Sequence, residues 1–213
     1  KTLIFLSIIF TSLLCHSALA NKTTAQQAMR QGSKSFQDGD FTQAIQHWQQ
    51  AAQLYGQLSQ PVAQSQALTQ QAEAYQRLGF YPEAINQLAT ALALVKSPEN
   101  KELQVSILAN LGYLCAILNE SSTGEEETKS HRQNCERGAL CYIDEGLQLA
   151  QGNDVLTALM LISRGNIFAL NKEPLQALAV YRQAAQRAER AGKVQLLSKA
   201  LNNAATITLE LED

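Results

Sequence analysis

The sequence predicts an all-α protein, an α-solenoid of antiparallel helix pairs. The main observation is an internal repeat: residues 35–51 recur as residues 75–91, and Gly39 matches Gly79 at an interval of 40 residues. Repeats of this length are typical of helical hairpins that bury their apolar faces on one another. Composition agrees, since Gly and Pro number only 11 and 4 among 213 residues, while Ala, Leu and Gln are abundant and favour helices.

Four hairpins and one unpaired helix are predicted along the chain. In the first, a Gly-Asp turn separates the two helices, and Thr42 is predicted to cap the second, because its hydroxyl can accept from free N–H groups of the first turn. The third is interrupted by a polar insertion, residues 119–133, which we expect to be exposed between its two helices. The predicted repeats span 25–58, 65–98, 105–150 and 158–191, followed by a partial repeat, 195–209.

Residues 1–20 predict a signal peptide that is cleaved after Ala20. An apolar run over 3–14 is followed by small residues, Ala18 and Ala20, at the −3 and −1 positions of the cleavage site. An uncleaved membrane helix is the alternative, although the run is shorter than the ~20 residues needed to span a bilayer. We therefore expect residues 21–213 to be secreted or periplasmic, without membrane contact after cleavage.

The charged and metal-ligating residues predict neither an enzyme nor a nucleic-acid binder. The net charge is −2, whereas nucleic-acid binding normally uses a basic face. The three histidines, His16, His47 and His131, have no second ligand at metal-like spacing. There is no Gly-rich phosphate loop after a strand and no sign of paired catalytic carboxylates. We expect no cofactor and no metal.

Three cysteines, Cys115, Cys135 and Cys141, remain after removal of the predicted signal. In an oxidising compartment an odd number leaves at least one unpaired, and three pairings are possible. A bridge between Cys115 and Cys135 would fix the base of the insertion, since they lie at its two ends. Three reduced thiols are the alternative.

Small residues recur inside the predicted helices, where a glycine normally costs ~1 kcal/mol. Such a cost is explained if the neighbouring helix approaches closely at that point. Together with the aromatic residues and turn glycines of the first two repeats, the pattern resembles the tetratricopeptide repeat (TPR) over residues 25–209. In the fourth repeat Lys172 replaces the turn glycine, and the period of about 40, against the usual ~34, implies extended helices or linkers. The small residues are Gly32, Ala72, Gly112 and Gly165 in the first helices, and Ala44, Ala84, Ala139 and Ala177 in the second.

The resemblance implies a right-handed superhelix whose first helices line a concave groove for a peptide or protein. Arg77 and Asn166 are expected to decide specificity, because Arg offers a planar set of donors to a carboxylate and Asn both donates and accepts. We therefore expect a non-catalytic protein–protein interaction scaffold. The family's groove positions fall on Gln37, Glu73, Gln76, Arg77, Tyr113 and Asn166.

A signal followed by such repeats also resembles the N-terminal region of bacterial proteins in which TPR repeats precede a caspase-like CHAT peptidase domain. The alternative function is therefore a regulatory or sensor arm of a larger CHAT-type peptidase. In that case the groove is occupied by the protein's own C-terminal portion. The apolar residues Leu201, Ile207 and Leu209 on the last predicted helix also lead us to expect a longer protein.

Overall fold

A computed structural model describes residues 2–121, 134–135 and 137–212, with the side chains of 20–119, 134–135 and 137–211. These residues form an all-α protein without β-strands. Most of the predicted insertion, including His131, lies outside the described residues, as do the side chains of the predicted signal up to residue 19. The helix before the insertion runs three residues beyond the predicted Leu118, to Ser121.

Nine α-helices are present in the described part of the chain, together with one short 3-10 helix, Pro98–Asn100. They are α1 (Thr2–Gln37), α2 (Phe41–Gln57), α3 (Pro61–Arg77), α4 (Tyr81–Leu94), α5 (Lys101–Ser121), α6 (Ala139–Leu149), α7 (Asp154–Leu170), α8 (Pro174–Arg190) and α9 (Val194–Glu212).

The chain divides into two compact units, residues 1–80 and residues 81–213, so the boundary falls inside the predicted second repeat. The first unit contains α1 to α3, in which α2 packs on both of its neighbours. The second contains α4 to α9, in which α5 packs on α4, α6 and α7, and α8 packs on α7 and α9. In both units, helices adjacent in sequence bury their apolar faces on one another.

Five turns share one geometry, in which a central residue adopts positive φ. The N–H of the next residue bonds to the carbonyl five residues earlier, as Glu173 does to Phe168 at 2.9 Å. This is the Schellman arrangement, which satisfies carbonyls left free at a helix end. The central residues are Gly39, Ser59, Gly79, Lys172 and Gly192.

The length of the repeat comes from its helices. The helices α2, α3, α7 and α8 each have 17 residues and are joined to the next helix by three-residue turns. One helix and one turn therefore account for half of the 40-residue period. The prediction left extended helices or linkers open. These four helices are extended, whereas α4 has 14 residues and is followed by a link of six residues, 95–100.

The predicted N-cap of α2 was wrong. The cap of α2 is Asp40 and not Thr42, because α2 begins at Phe41 and the Asp40 carboxylate accepts from the Gln43 N–H at 2.9 Å. Pro61 and Pro174 open α3 and α8, where a missing N–H costs nothing.

Gly32, Gly112 and Gly165 on the first helices each lie against a bulky residue of the second helix. A Cβ added to Gly32 would lie 2.5 Å from the Trp48 ring nitrogen, and one added to Gly165 would lie 2.4 Å from the Tyr181 ring. At Gly112 the nearest atom is Ile143 Cδ1, at 2.8 Å. These distances are too short for any real Cβ, so the close helix approach expected from the glycines is confirmed.

The third predicted hairpin, α5–α6, is closed differently. Cys115 and Cys135 form a disulfide with their Cα atoms 5.5 Å apart, and Cys141 is free and exposed. The Tyr142 hydroxyl donates to the backbone carbonyl of Asn134, and the Asn134 amide donates to Asn86 on α4 at 3.0 Å. The chain that returns to α6 is thus fixed by covalent and polar contacts.

One segment of the described residues, Pro98–Asn119, is long and apolar enough to cross a membrane by length and composition alone. Within its most apolar window, 61% is buried inside the protein. That burial is what the core helix of a packed domain shows.

Candidate functional site

A cavity of about 460 Å³ in the second unit is the candidate site. Its volume falls within the range of ligand pockets, about 300–1,000 Å³. Most of the lining comes from α5, α7 and α9, each the first helix of a predicted repeat, and α8 contributes the Tyr181 side chain. The lining residues are Tyr113, Asn166, Ala169, Leu170, Tyr181, Lys199, Asn203, Thr206, Ile207 and Glu210.

Three polar side chains are joined at the base of this cavity. The Tyr181 hydroxyl donates to Asn166 Oδ1 at 2.7 Å, and Asn203 Nδ2 donates to the same oxygen at 3.0 Å. Both acceptor sites of that oxygen are therefore used. Among the described residues, the NH₂ group of Asn166 and the oxygen of Asn203 keep their hydrogen-bonding capacity for a ligand.

Tyr181 serves as a fixed donor in this network. Its side chain is almost fully buried, at 3% exposure, and burial raises the pKa of Tyr181 to about 12. The Asn203 amide acts in the opposite direction and lowers this pKa, while the nearby Glu210 carboxylate raises it. The phenol therefore stays protonated at neutral pH and holds Asn166 in one orientation.

Two opposite charges on α9 lie at the edge of the cavity. Lys199 and Glu210 are both exposed, and neither forms an ion pair among the described residues. The cavity thus offers an amide donor, an amide acceptor, a cation and an anion. A donor next to an acceptor matches the N–H and C=O of a peptide group.

The six predicted groove residues divide between the two units. Tyr113 and Asn166 line the cavity just described. The other four, Gln37, Glu73, Gln76 and Arg77, belong to the first unit. A single groove formed by all six therefore stays a prediction.

In the first unit, Arg77 contacts an aromatic ring that the sequence analysis did not single out. Its guanidinium lies 5.6 Å from the centre of the Phe36 ring and 3.9 Å from the Glu73 carboxylate. Both charged side chains are more than half exposed. The Arg77 side chain is thus oriented by Phe36, and an exposed ion pair of this kind contributes little to stability.

The sequence analysis named two of the ten lining residues, Tyr113 and Asn166, and missed the other eight, among them Tyr181, Lys199, Asn203 and Glu210. A signal existed for Glu210, because it follows Ala205 by five residues on α9, as the predicted groove residue Arg77 follows Ala72. Tyr181 lies on a second helix, where the family pattern places only packing residues. Its part in the site follows from the packing of α7 on α8.

No group of His, Cys, Asp and Glu side chains in the described residues is arranged to hold a metal ion. A second cavity, of about 500 Å³, is lined mainly by apolar residues and backbone of α5, α6 and α7, and Lys172 is the one charged residue in its described lining. No hydrogen-bond network like that of Asn166 joins the lining residues that the structure describes. Comparison with protein-family models and with curated proteins gives no match for the chain.

Proposed function

We propose that this chain is a non-catalytic scaffold of the TPR kind, whose second unit binds an extended peptide or protein segment. The proposed fold is a right-handed solenoid of helix pairs, in which the first helices line the binding groove. Within each unit, the packing of helices that are neighbours in the chain supports this proposal, as do the recurring Schellman turns.

The observation that carries the proposal is the Asn166–Asn203 pair inside the cavity. Tyr181 and Asn203 occupy the Asn166 oxygen, so the amide NH₂ of Asn166 and the oxygen of Asn203 are a donor and an acceptor held side by side. Such a pair can bind the backbone of any peptide, while side-chain preference comes from the neighbouring groups. Lys199 and Glu210 supply those groups, with opposite charges.

Export of the chain is part of the same proposal. Disulfides persist in secreted and periplasmic proteins and are rare in reducing compartments. The Cys115–Cys135 bridge therefore supports the secretion that we expect from residues 1–20.

The proposal can be tested without knowing the natural partner. A random peptide library displayed on phage is selected on the purified chain, and the dissociation constant of the enriched peptide is measured by fluorescence anisotropy. We expect Asn203→Ala and Glu210→Ala each to weaken that peptide about three- to tenfold, because each removes one polar contact. Gln186→Ala, an exposed change on α8 outside the cavity, is the matched control.

Asn166→Ala is a poorer test, because it also leaves the buried Tyr181 hydroxyl without an acceptor and would destabilise the unit. The proposal is contradicted if no peptide is enriched over the unselected library. Equal binding of the enriched peptide to wild type, Asn203→Ala and Glu210→Ala would also contradict it.

A further inference from the structure

The second cavity lies directly beside the cavity around Asn166, which we call the peptide cavity, and Leu170 of α7 lines both. On α5, Tyr113 lines the peptide cavity, and Ala116, one turn further along the helix, lines the second cavity. On α7, Ile167 of the second cavity follows Asn166 in the chain. The two cavities are therefore consecutive parts of one groove between α5 and α7, which pack on each other.

The second cavity is apolar where the peptide cavity is lined by amides and charges. Two residues of its floor, Ala116 and Ile167, are only 5% and 1% exposed and belong to the protein core. The volume of about 500 Å³ leaves room for a large side chain. Aromatic side chains gain most from such burial, because each removes about 150–250 Å² from water. We call this cavity the apolar subsite and define it by Ala116, Ala139, Leu140, Ile167 and Leu170.

The α6 wall of the apolar subsite is held in place by the disulfide. Ala139 and Leu140 are the first two residues of α6, and Cys135, just before them, is bonded to Cys115 of α5. Cys115 is in turn the chain neighbour of Ala116. The bond thus joins the two walls that α5 and α6 contribute. Preformed walls favour binding, because no free energy is lost in ordering them around the ligand.

The spacing of the two cavities selects which residue of a bound peptide reaches the apolar subsite. Asn166 and Leu170 are four residues apart on α7, which is about 6 Å at 1.5 Å per residue. An extended peptide advances about 3.3 Å per residue, so two residues cover this distance. Side chains two residues apart also point to the same side of an extended chain.

We propose that the apolar subsite binds an aromatic or long aliphatic side chain of the same extended peptide, two residues from the peptide group held by Asn166 and Asn203. This inference rests on the proposed function and names the ligand more closely, as a peptide anchored by one large apolar residue. The asparagine pair can bind any peptide backbone, so the subsite supplies a preference for sequence. Lys172, the one charged residue in the described lining, disfavours a basic side chain at this position.

The test uses the peptide enriched from the phage library and a set of variants in which alanine replaces each residue in turn. Fluorescence anisotropy gives the dissociation constant of each peptide for the wild-type chain. We expect one large apolar residue whose replacement weakens binding about tenfold or more, because the subsite is then left unfilled. With benzoylphenylalanine at that position, the peptide should crosslink to α5, α6 or α7 at the apolar subsite.

The matching change in the protein is Leu140→Asp, which places a carboxylate in the subsite. The start of a helix tolerates an acidic residue, and circular dichroism verifies that the variant folds. This protein should bind the enriched peptide and its alanine variant equally weakly. Cys141→Asp, the same charge at an exposed residue outside the described lining, is the control and should keep the difference between the two peptides.

Three results would overturn the inference: an enriched peptide without an essential apolar residue, a crosslink outside the apolar subsite, or an undiminished difference between the two peptides in Leu140→Asp. The Asn203→Ala protein reports separately on the proposed function. If Asn203→Ala weakens binding and Leu140→Asp does not, peptide binding in the first cavity stands and only the apolar subsite is excluded. If no peptide is enriched, both proposals fail.

Discussion

The hairpins α5–α6 and α7–α8 of the second unit have the same packing but different connections. Inside both, a glycine of the first helix receives a bulky side chain of the second, Ile143 at Gly112 and Tyr181 at Gly165. A three-residue turn joins α7 to α8, whereas α5 and α6 are separated in sequence and linked by Cys115–Cys135. The glycine contact is therefore common to both hairpins and defines them, whereas the connection between the two helices differs.

The largest expected effect comes from the disulfide. It closes a separation of 20 residues in the α5–α6 hairpin, and a crosslink of that length stabilises a protein by about 3 kcal/mol. We expect Cys115→Ser with Cys135→Ser to lower the free energy of unfolding by about that amount in urea denaturation. Cys141→Ser, at the free and exposed thiol, is the control and should have little effect. A double variant as stable as wild type would show that α5–α6 is held without the crosslink.

The second effect is a pH dependence of the unfolding free energy that we expect from the α7–α8 hairpin and not from α5–α6. The pKa of Tyr181, raised by burial to about 12, exceeds its ordinary value of 10.0. The folded state therefore keeps this proton, and the stability it contributes is complete below pH 10 and is lost as the pH rises towards 12. Ile143, at the same place in α5–α6, has no proton to lose. We expect Tyr181→Phe to flatten the fall in unfolding free energy above about pH 10. An unchanged slope in that variant would assign the fall to other groups.

The smallest effect concerns the α7–α8 turn itself. Lys172 adopts φ of 59°, a conformation that costs a residue with a side chain about 1–2 kcal/mol but costs glycine little. Lys172→Gly should stabilise the chain by about 0.5–1 kcal/mol, less than the full strain because glycine also makes the unfolded state more flexible. Thermal unfolding monitored by circular dichroism measures the change. Lys172→Ala keeps the Cβ and removes the charge, so a matching gain there would exclude backbone strain as the cause.

Much of the fold was predictable, because the repeat combines turn glycines with small residues at fixed positions. The second helix of the fourth pair begins at Pro174, as its sequence indicated, whereas that of the third pair was expected to begin at Cys135 and α6 begins at Ala139. Helix starts were less well predicted. Thr42 and Asp40 both suit a capping position, and only the geometry of the first turn distinguishes them.

The candidate site was only partly predictable. Tyr113 and Asn166 come from a family pattern that assigns binding to first helices. That pattern treats each position separately, whereas the orientation of Asn166 depends on Tyr181 and Asn203, 15 and 37 residues away in sequence. Such contacts follow from how α7, α8 and α9 pack, which no local pattern encodes.

The central claim, that the glycine contact defines each hairpin, is tested most directly by a double-mutant cycle at Gly165 and Tyr181. The free energy of unfolding is measured for wild type, Gly165→Ala, Tyr181→Leu and the double variant. We expect Gly165→Ala to cost about 1–3 kcal/mol beside Tyr181, because its Cβ would meet the ring. In the Tyr181→Leu background the same change should cost little or even stabilise α7, since alanine favours helices by about 1 kcal/mol over glycine. An equal cost in both backgrounds would contradict the claim.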